Sequence, residues 1–491
     1  MIPASFAGLI AESLNSQRCQ EVLANTWLEV DPVSHDAHRA QAVVFLRQGN
    51  LERALFHLEE ILKLGGDADF DSLAAMGARL PPDQQQELLI LYRQLGERHP
   101  ADPELRYSQA LLENLSGEPE LAMATLAPLM AEEQDFQPAL VLWADLLFQT
   151  GQQDEALLYL QKNPRRYPAN LQLGTLHARM LVNAGELQAA QDEFGRLLDR
   201  NPDAHSLRLS RALVAIENKE TDVAREDLRH LMAQGQHVSE ALFYMGRIAE
   251  TEGDPDKAIT FYEQVTEGNH FYPALSRASE LRAESGDPMS AVERIVSLRE
   301  SSPQQAESLW LIEVNLLLTE NLDELALESA DTALRDFPDN QQLRYARSMM
   351  HERAGDIDSA EADLRKMLEL QPDNPTALNA LGYILTVHTD RLDEALALIE
   401  QALALEPENP AILDSMGWAL FRLGEVDAAI SYLRQAFEKE PDAEIAAHYG
   451  EALWVSGDKN QARVIWKLGM EADPGHPVLN ETLERLGAKD L

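Results

Sequence analysis

Apolar residues in this chain fall at helical spacing. Near the N-terminus Phe6, Leu9, Ile10 and Leu14 stand at i, i+3, i+4 and i+8, one stripe of an amphipathic helix. The greasiest run, Ala139–Phe148, carries Asp145 in its middle, and no stretch of 18 apolar residues exists, so no membrane span is predicted. A longer pattern dominates the chain. Pro32, Pro100, Pro168, Pro202, Pro303, Pro338, Pro372, Pro407, Pro441 and Pro474 are separated by 68, 68, 34, 101, 35, 34, 35, 34 and 33 residues, each close to a multiple of 34. Twelve residues ahead of most of these prolines stands an alanine, and Ala54, Ala122, Ala224 and Ala258 hold the same phase where the proline is missing. Five residues ahead of those alanines is often a glycine, as at Gly49, Gly117, Gly185, Gly355, Gly424 and Gly457.

Each mark has a physical reason. The glycine permits the positive φ that closes a first helix. The alanine lets a second helix pack closely on the first, and the proline ends that second helix and opens the next unit. Running the phase along the chain predicts helix pairs starting near residues 1, 35, 67, 103, 137, 171, 205, 239, 272, 307, 341, 375, 410 and 443. Residues 476–491 remain as a last, capping helix with a polar outer side.

A 34-residue period with this punctuation resembles the tetratricopeptide-repeat (TPR) family. The expectation is an all-α TPR superhelical solenoid of about fourteen antiparallel helix pairs plus a C-terminal capping helix. We read 1–66 as N-terminal TPR-like pairs, 67–100 as a degenerate pair, 101–374 as the central array, 375–475 as consensus repeats and 476–491 as the cap. The degenerate pair contains Pro81-Pro82 and lacks the glycine and alanine marks. A second departure is the turn Thr386–Arg391, one residue longer than its neighbours and without their glycine.

Composition narrows the function. The chain has 491 residues, 41 Lys+Arg against 83 Asp+Glu, a net charge of −42, 45% apolar residues and one cysteine. That balance excludes binding to nucleic acid by phosphate neutralisation. One cysteine excludes a disulfide framework and a Cys-based metal site. The apolar content excludes general disorder. The acidic excess is interspersed with arginine, as in Glu361-Ala-Asp-Leu-Arg365, which reads as solvated helix faces; a halophilic source would select the same excess. His35 and His38 stand at i, i+3 without an HExxH partner, so no metal site is expected. No GxxxxGK[ST], GxSxG or GxGxxG motif occurs, so no cofactor, small-molecule substrate or catalytic machinery is expected. At the N-terminus the first basic residue is Arg18, Glu12 ends the apolar stretch, and Cys19 follows Ser-Gln-Arg. We read this start as carrying neither a signal peptide nor a lipid-attachment site, which leaves the cytoplasm as an alternative compartment.

A solenoid of this kind offers a concave face from its first helices. Trp27, Trp143, Trp310 and Trp466 fall at core positions. Trp418 and Trp454 fall at positions nine and twelve of their repeats, on the concave side, with Tyr383 and Phe421. With Asn379, Asp414, Arg422, His448 and Glu451 they predict one aromatic, polar-edged groove across three repeats, of the kind that anchors protein partners. Packing alone is the alternative, because position twelve is often aromatic for that reason. A smaller candidate is Phe243, Tyr244 and Arg247.

The segments Leu378-Asn-Ala-Leu-Gly-Tyr383, Pro410-Ala-Ile-Leu-Asp-Ser-Met-Gly-Trp418 and Ala446-Ala-His-Tyr-Gly-Glu-Ala-Leu-Trp454 resemble proteobacterial TPR lipoproteins, in particular those that partner a C-terminal processing protease. That resemblance implies a scaffold on the periplasmic side of the outer membrane. It would bind the serine protease and bring it peptidoglycan hydrolases as substrates. Other TPR lipoproteins imply the alternative, a scaffold for an envelope or polysaccharide-secretion complex. The concave positions lack the lysines and asparagines with which TPR clamps hold acidic chaperone C-termini.

Overall fold

The computed structural model describes residues 17–132 and 136–488; the predicted stripe Phe6–Leu14 lies outside them. Among the described residues every regular element is helical. The chain divides into two compact units, Met1–Ile248 and Ala249–Leu491.

In the first unit, first helices begin at His35, Phe70, Pro103, Gln137, Leu171 and His205, each followed by a second helix; helix Val238–Thr251 comes after them and runs past the end of the unit. In the second unit they begin at Phe271, Ala306, Gln341, Pro375, Pro410 and Ala443, and Pro477–Arg485 caps the array. This is the phase read from the proline, alanine and glycine marks, in a solenoid of helix pairs. No described helix is long and apolar enough to cross a membrane.

Local chemistry sets the helix ends. Asn374 and Asn409 stand before Pro375 and Pro410 and accept hydrogen bonds from the Ala377 and Ala411 amides, so each first helix starts with a cap and a proline that needs no amide partner. The first helix then meets the second at glycine. A Cβ on Gly417 would lie 2.5 Å from Leu433, and one on Gly450 would lie 2.1 Å from the Trp466 indole nitrogen. The facing alanines Ala429 and Ala462 are fully buried, so side-chain volume decides how close the two axes come. After Gly424 the chain turns at φ +88°. Two turns make the same excursion without glycine, at Lys219 (φ 62°) and Asn321 (φ 56°).

Segment 67–100 builds its pair differently. A short helix Phe70–Met76 and a 3₁₀ turn at Gly77–Arg79 precede the long helix Pro82–Arg98. Pro81 holds extended backbone before that helix, and the Tyr92 hydroxyl donates to the Phe70 carbonyl at 2.6 Å, tying the short helix down. Of the four tryptophans expected in the core, Trp310 and Trp466 are buried. Trp27 and Trp143 are only half-buried; Trp143 packs against the Leu140–Leu160 cluster from outside it.

A recurring arginine clamp crosses the pairs. Arg208 and Arg211 grip the buried Asp227, and in the second unit Arg344 and Arg347 grip the buried Asp363. Arg208 and Arg344 also donate to the carbonyls of Pro202 and Pro338, six residues back, which locks the repeat boundary. Charge-assisted, multidentate bonds of this kind offset the desolvation of the buried carboxylate.

Candidate protein-binding groove

The groove residues lie on three successive first helices of the second unit: Pro375–His388, Pro410–Arg422 and Ala443–Ser456. Their centre is a stack of three rings. The His448 imidazole lies 4.1 Å from the Trp418 ring at an interplanar angle of 18°, and Phe421 stacks on Trp418 at 5.1 Å and 16°. Tyr383 tilts against His448 at 6.2 Å. Trp418, Phe421 and Tyr383 are half-buried, whereas His448 is buried. Both faces of Trp418 are therefore covered by the protein's own rings, and the stack presents its edges rather than an open aromatic face.

Polar groups fix the stack. Asp414 accepts from His448 Nδ1 at 2.9 Å. Burial pushes the His448 imidazole down, but Asp414, followed by Glu444 and Glu451, pushes it up further, so the balance lies above the usual histidine value. The Tyr383 hydroxyl donates to Glu444. Burial, then the Glu444 carboxylate, pushes the Tyr383 phenol well above its ordinary range, so it stays a neutral donor. Arg422 donates to the Thr386 carbonyl at 2.7 Å, clamping the end of the first of the three helices.

The remaining predicted residues separate from the stack. Glu451 is buried and held bidentately by Arg485 of the capping helix, at 2.8 and 2.5 Å. Trp454 lies 5.4 Å from Trp466, with Lys459 and Arg463 over its ring at 4.5 and 5.2 Å. The Asn379 side-chain oxygen is buried without a hydrogen-bond partner among the described residues. The residues that sequence reasoning missed are Glu444, Arg485, Lys459 and Arg463. Glu444, His448 and Glu451 stand at i, i+4 and i+7, so one helical stripe was the signal for the first of them.

The secondary candidate lies at the end of the first unit. Phe243 and Tyr244 meet edge to face at 5.4 Å, both half-buried, and Arg247 stands 6.0 Å from the Tyr244 ring. Elsewhere, His38 does not pair with His35. Its Nδ1 meets His57 Nδ1 at 3.0 Å and its Nε2 meets the Pro32 carbonyl at 3.1 Å. Asp69, Asp71 and Glu104 bring ligand-type oxygens together, but Ser72 donates to Asp69 at 2.7 Å and the Asp71 amide to Glu104 at 3.4 Å. A cavity of about 310 Å³ lined by Asp331, Leu334, Arg335, Arg344 and Arg347 shares no residue with the groove.

Family models described as tetratricopeptide repeat match residues 387–448, then 20–69, 175–235, 313–375 and 345–410, and finally 240–267. Over 479 residues the chain is 37% identical to a TPR repeat-containing protein of Pseudomonas aeruginosa, a match that covers 97% of this chain and 81% of that relative. The chain belongs to the tetratricopeptide-repeat family.

This TPR chain is also 26% identical, over 368 residues, to cellulose synthase operon protein C of Pseudomonas fluorescens; the match covers 70% of this chain and 27% of that protein. Among solved structures, a TPR protein of Parabacteroides merdae covers 51% of this chain and 98% of its own length, at 18% identity and a TM-score of 0.41. A TPR protein of Thermus thermophilus covers 37% and 98%, at 19% identity and a TM-score of 0.33. As a TPR array, the chain is a protein–protein interaction scaffold.

Proposed function

We propose that this TPR chain is a non-catalytic adaptor that binds a C-terminal processing serine protease and delivers peptidoglycan hydrolases to it, on the periplasmic side of the outer membrane. The observation that carries this reading is the His448–Trp418–Phe421 stack with Tyr383. Tyr383, Trp418 and His448 lie within the three segments that resemble the protease-partnering TPR lipoproteins, and Phe421 stands three residues after the second. Rigid ring edges flanked by the half-buried Glu444 offer apolar contact and a hydrogen-bond acceptor at low entropic cost. The mechanism is proximity: two moderate sites on one scaffold raise the local concentration of substrate at the protease without new chemistry.

One observation favours a second reading. The likeness to cellulose synthase operon protein C supports a scaffold for an envelope or polysaccharide-secretion complex.

Capture of partners from a lysate of the source cells on the immobilised chain, read by mass spectrometry, separates the two. A Trp418→Phe variant keeps a ring in the stack, and a Tyr383→Phe/Phe421→Leu variant alters the groove without touching Trp454. Recovery of a processing protease and cell-wall hydrolases, weakened in the second variant, supports the adaptor and the groove. Equal recovery in both variants keeps the adaptor and moves its site. Recovery of secretion components alone, or of neither class, sinks the adaptor reading.

A further inference from the structure

The chain carries 83 acidic residues against 41 basic ones, and most arginines of its second unit are consumed by carboxylates. Arg277, Arg282, Arg299, Arg344, Arg347 and Arg391 are all held this way. Helix Lys459–Ala472 departs from this economy. Lys459, Arg463 and Lys467 stand at i, i+4 and i+8, all exposed, and none pairs with a carboxylate among the described residues. Asp458, the nearest acid in sequence, is occupied as the helix cap, accepting from the Gln461 amide at 3.1 Å. Lys459 and Arg463 instead lie over the Trp454 ring at 4.5 and 5.2 Å. A cation over an aromatic face keeps its charge outward and loses part of its rotamer freedom before any partner arrives.

We propose that this stripe is a docking site for an acidic segment of a protein partner. Eight residues of helix span about 12 Å, the reach of about four extended residues of a bound strand. Val464 and Leu468, 52% and 43% exposed, flank the cations on the same helix. A strand that alternates acidic with apolar side chains would satisfy both rows. A flat anionic bilayer is a poorer fit. It would also bring its headgroups against Glu471, Asp473, Glu481 and Glu484, which lie on the same helix, just past its end or on the cap after it. The docking does not depend on what fills the aromatic groove.

The test uses the full chain and a fluorescein-labelled octapeptide containing four glutamates and two leucines, with a twin in which glutamine replaces glutamate. Fluorescence anisotropy at low salt should show the glutamate peptide binding about tenfold tighter than its twin, with the difference shrinking as salt rises. Lys459→Ser/Arg463→Ser/Lys467→Ser should lose that preference while melting like the parent. Arg335→Ser, which removes an exposed arginine elsewhere in the unit, should keep it. Equal binding of the two peptides, equal binding by the triple variant, or no binding at all overturns the proposal. Capture by phosphatidylglycerol vesicles without peptide binding also overturns it, in favour of a lipid surface.

Discussion

The carboxylate of Asp414 and the imidazole of His448, one repeat apart in sequence, lie 2.9 Å from each other inside the helix array. The imidazole is also stacked at 4.1 Å on Trp418. Each group explains the other. A buried carboxylate needs a donor, and an imidazole pressed on an indole face gains from carrying charge.

The folded His448 titrates above its unfolded value, so its contribution to stability is complete below about pH 6.5 and fades as pH rises through the folded value. Asp414→Asn should therefore lower the melting temperature more at pH 6 than at pH 9, and should move the His448 NMR titration to lower pH. A melting loss independent of pH would show that the pair does not carry the charge.

Gly450→Ala should be costly. Its Cβ would fall 2.1 Å from an indole that is fully buried and has nowhere to go. Overpacking of this kind costs about 1–3 kcal/mol, and a rigid Trp466 places it at the upper end. Gly417→Ala meets the flexible Leu433 at 2.5 Å and should cost less in the same urea titration.

Lys219 holds a left-handed φ of 62° at a turn where sister repeats place glycine. Lys219→Gly should stabilise the first unit by about 1 kcal/mol, seen as a higher denaturant midpoint. Asn321→Gly should gain less, since asparagine tolerates that region.

The clamp on Asp363 gives a graded test. Asp363→Ala leaves Arg344 and Arg347 without their buried partner and should cost about 3 kcal/mol. Asp331→Ala removes only the more exposed contact to Arg347 and should cost under about 1 kcal/mol. Thermal melts of both variants decide whether burial or pairing sets the scale.

Glu104 titrates at about 7, pushed up first by burial and then by Asp67 and Asp71. A carboxyl group raised in the fold contributes stability below about pH 4.5 and loses it as pH rises through 7. Glu104→Gln should make melting less dependent on pH between 5 and 8, with its gain confined to the alkaline side. An unchanged pH profile would place the cause in another group.

The repeat length and, among the described residues, the position of nearly every helix start were legible in the sequence. They rest on local rules: Asn374 before Pro375 starts a helix, Gly424 ends one, and Ala429 admits the next. Those rules act within a few residues and therefore survive without coordinates. The same reasoning placed Tyr383, Asp414, Trp418 and His448 on one side of successive helices, because a 34-residue period repeats direction as well as position. Tertiary structure decided what those side chains do with one another. It covered both faces of Trp418 with His448 and Phe421, turned Glu451 to Arg485, and laid Lys459 and Arg463 over Trp454. Such choices depend on distances between residues up to 34 positions apart, set by the packing of one pair on the next. A periodic sequence fixes the direction of a side chain but not the partner it meets, because several partners lie within reach of every position.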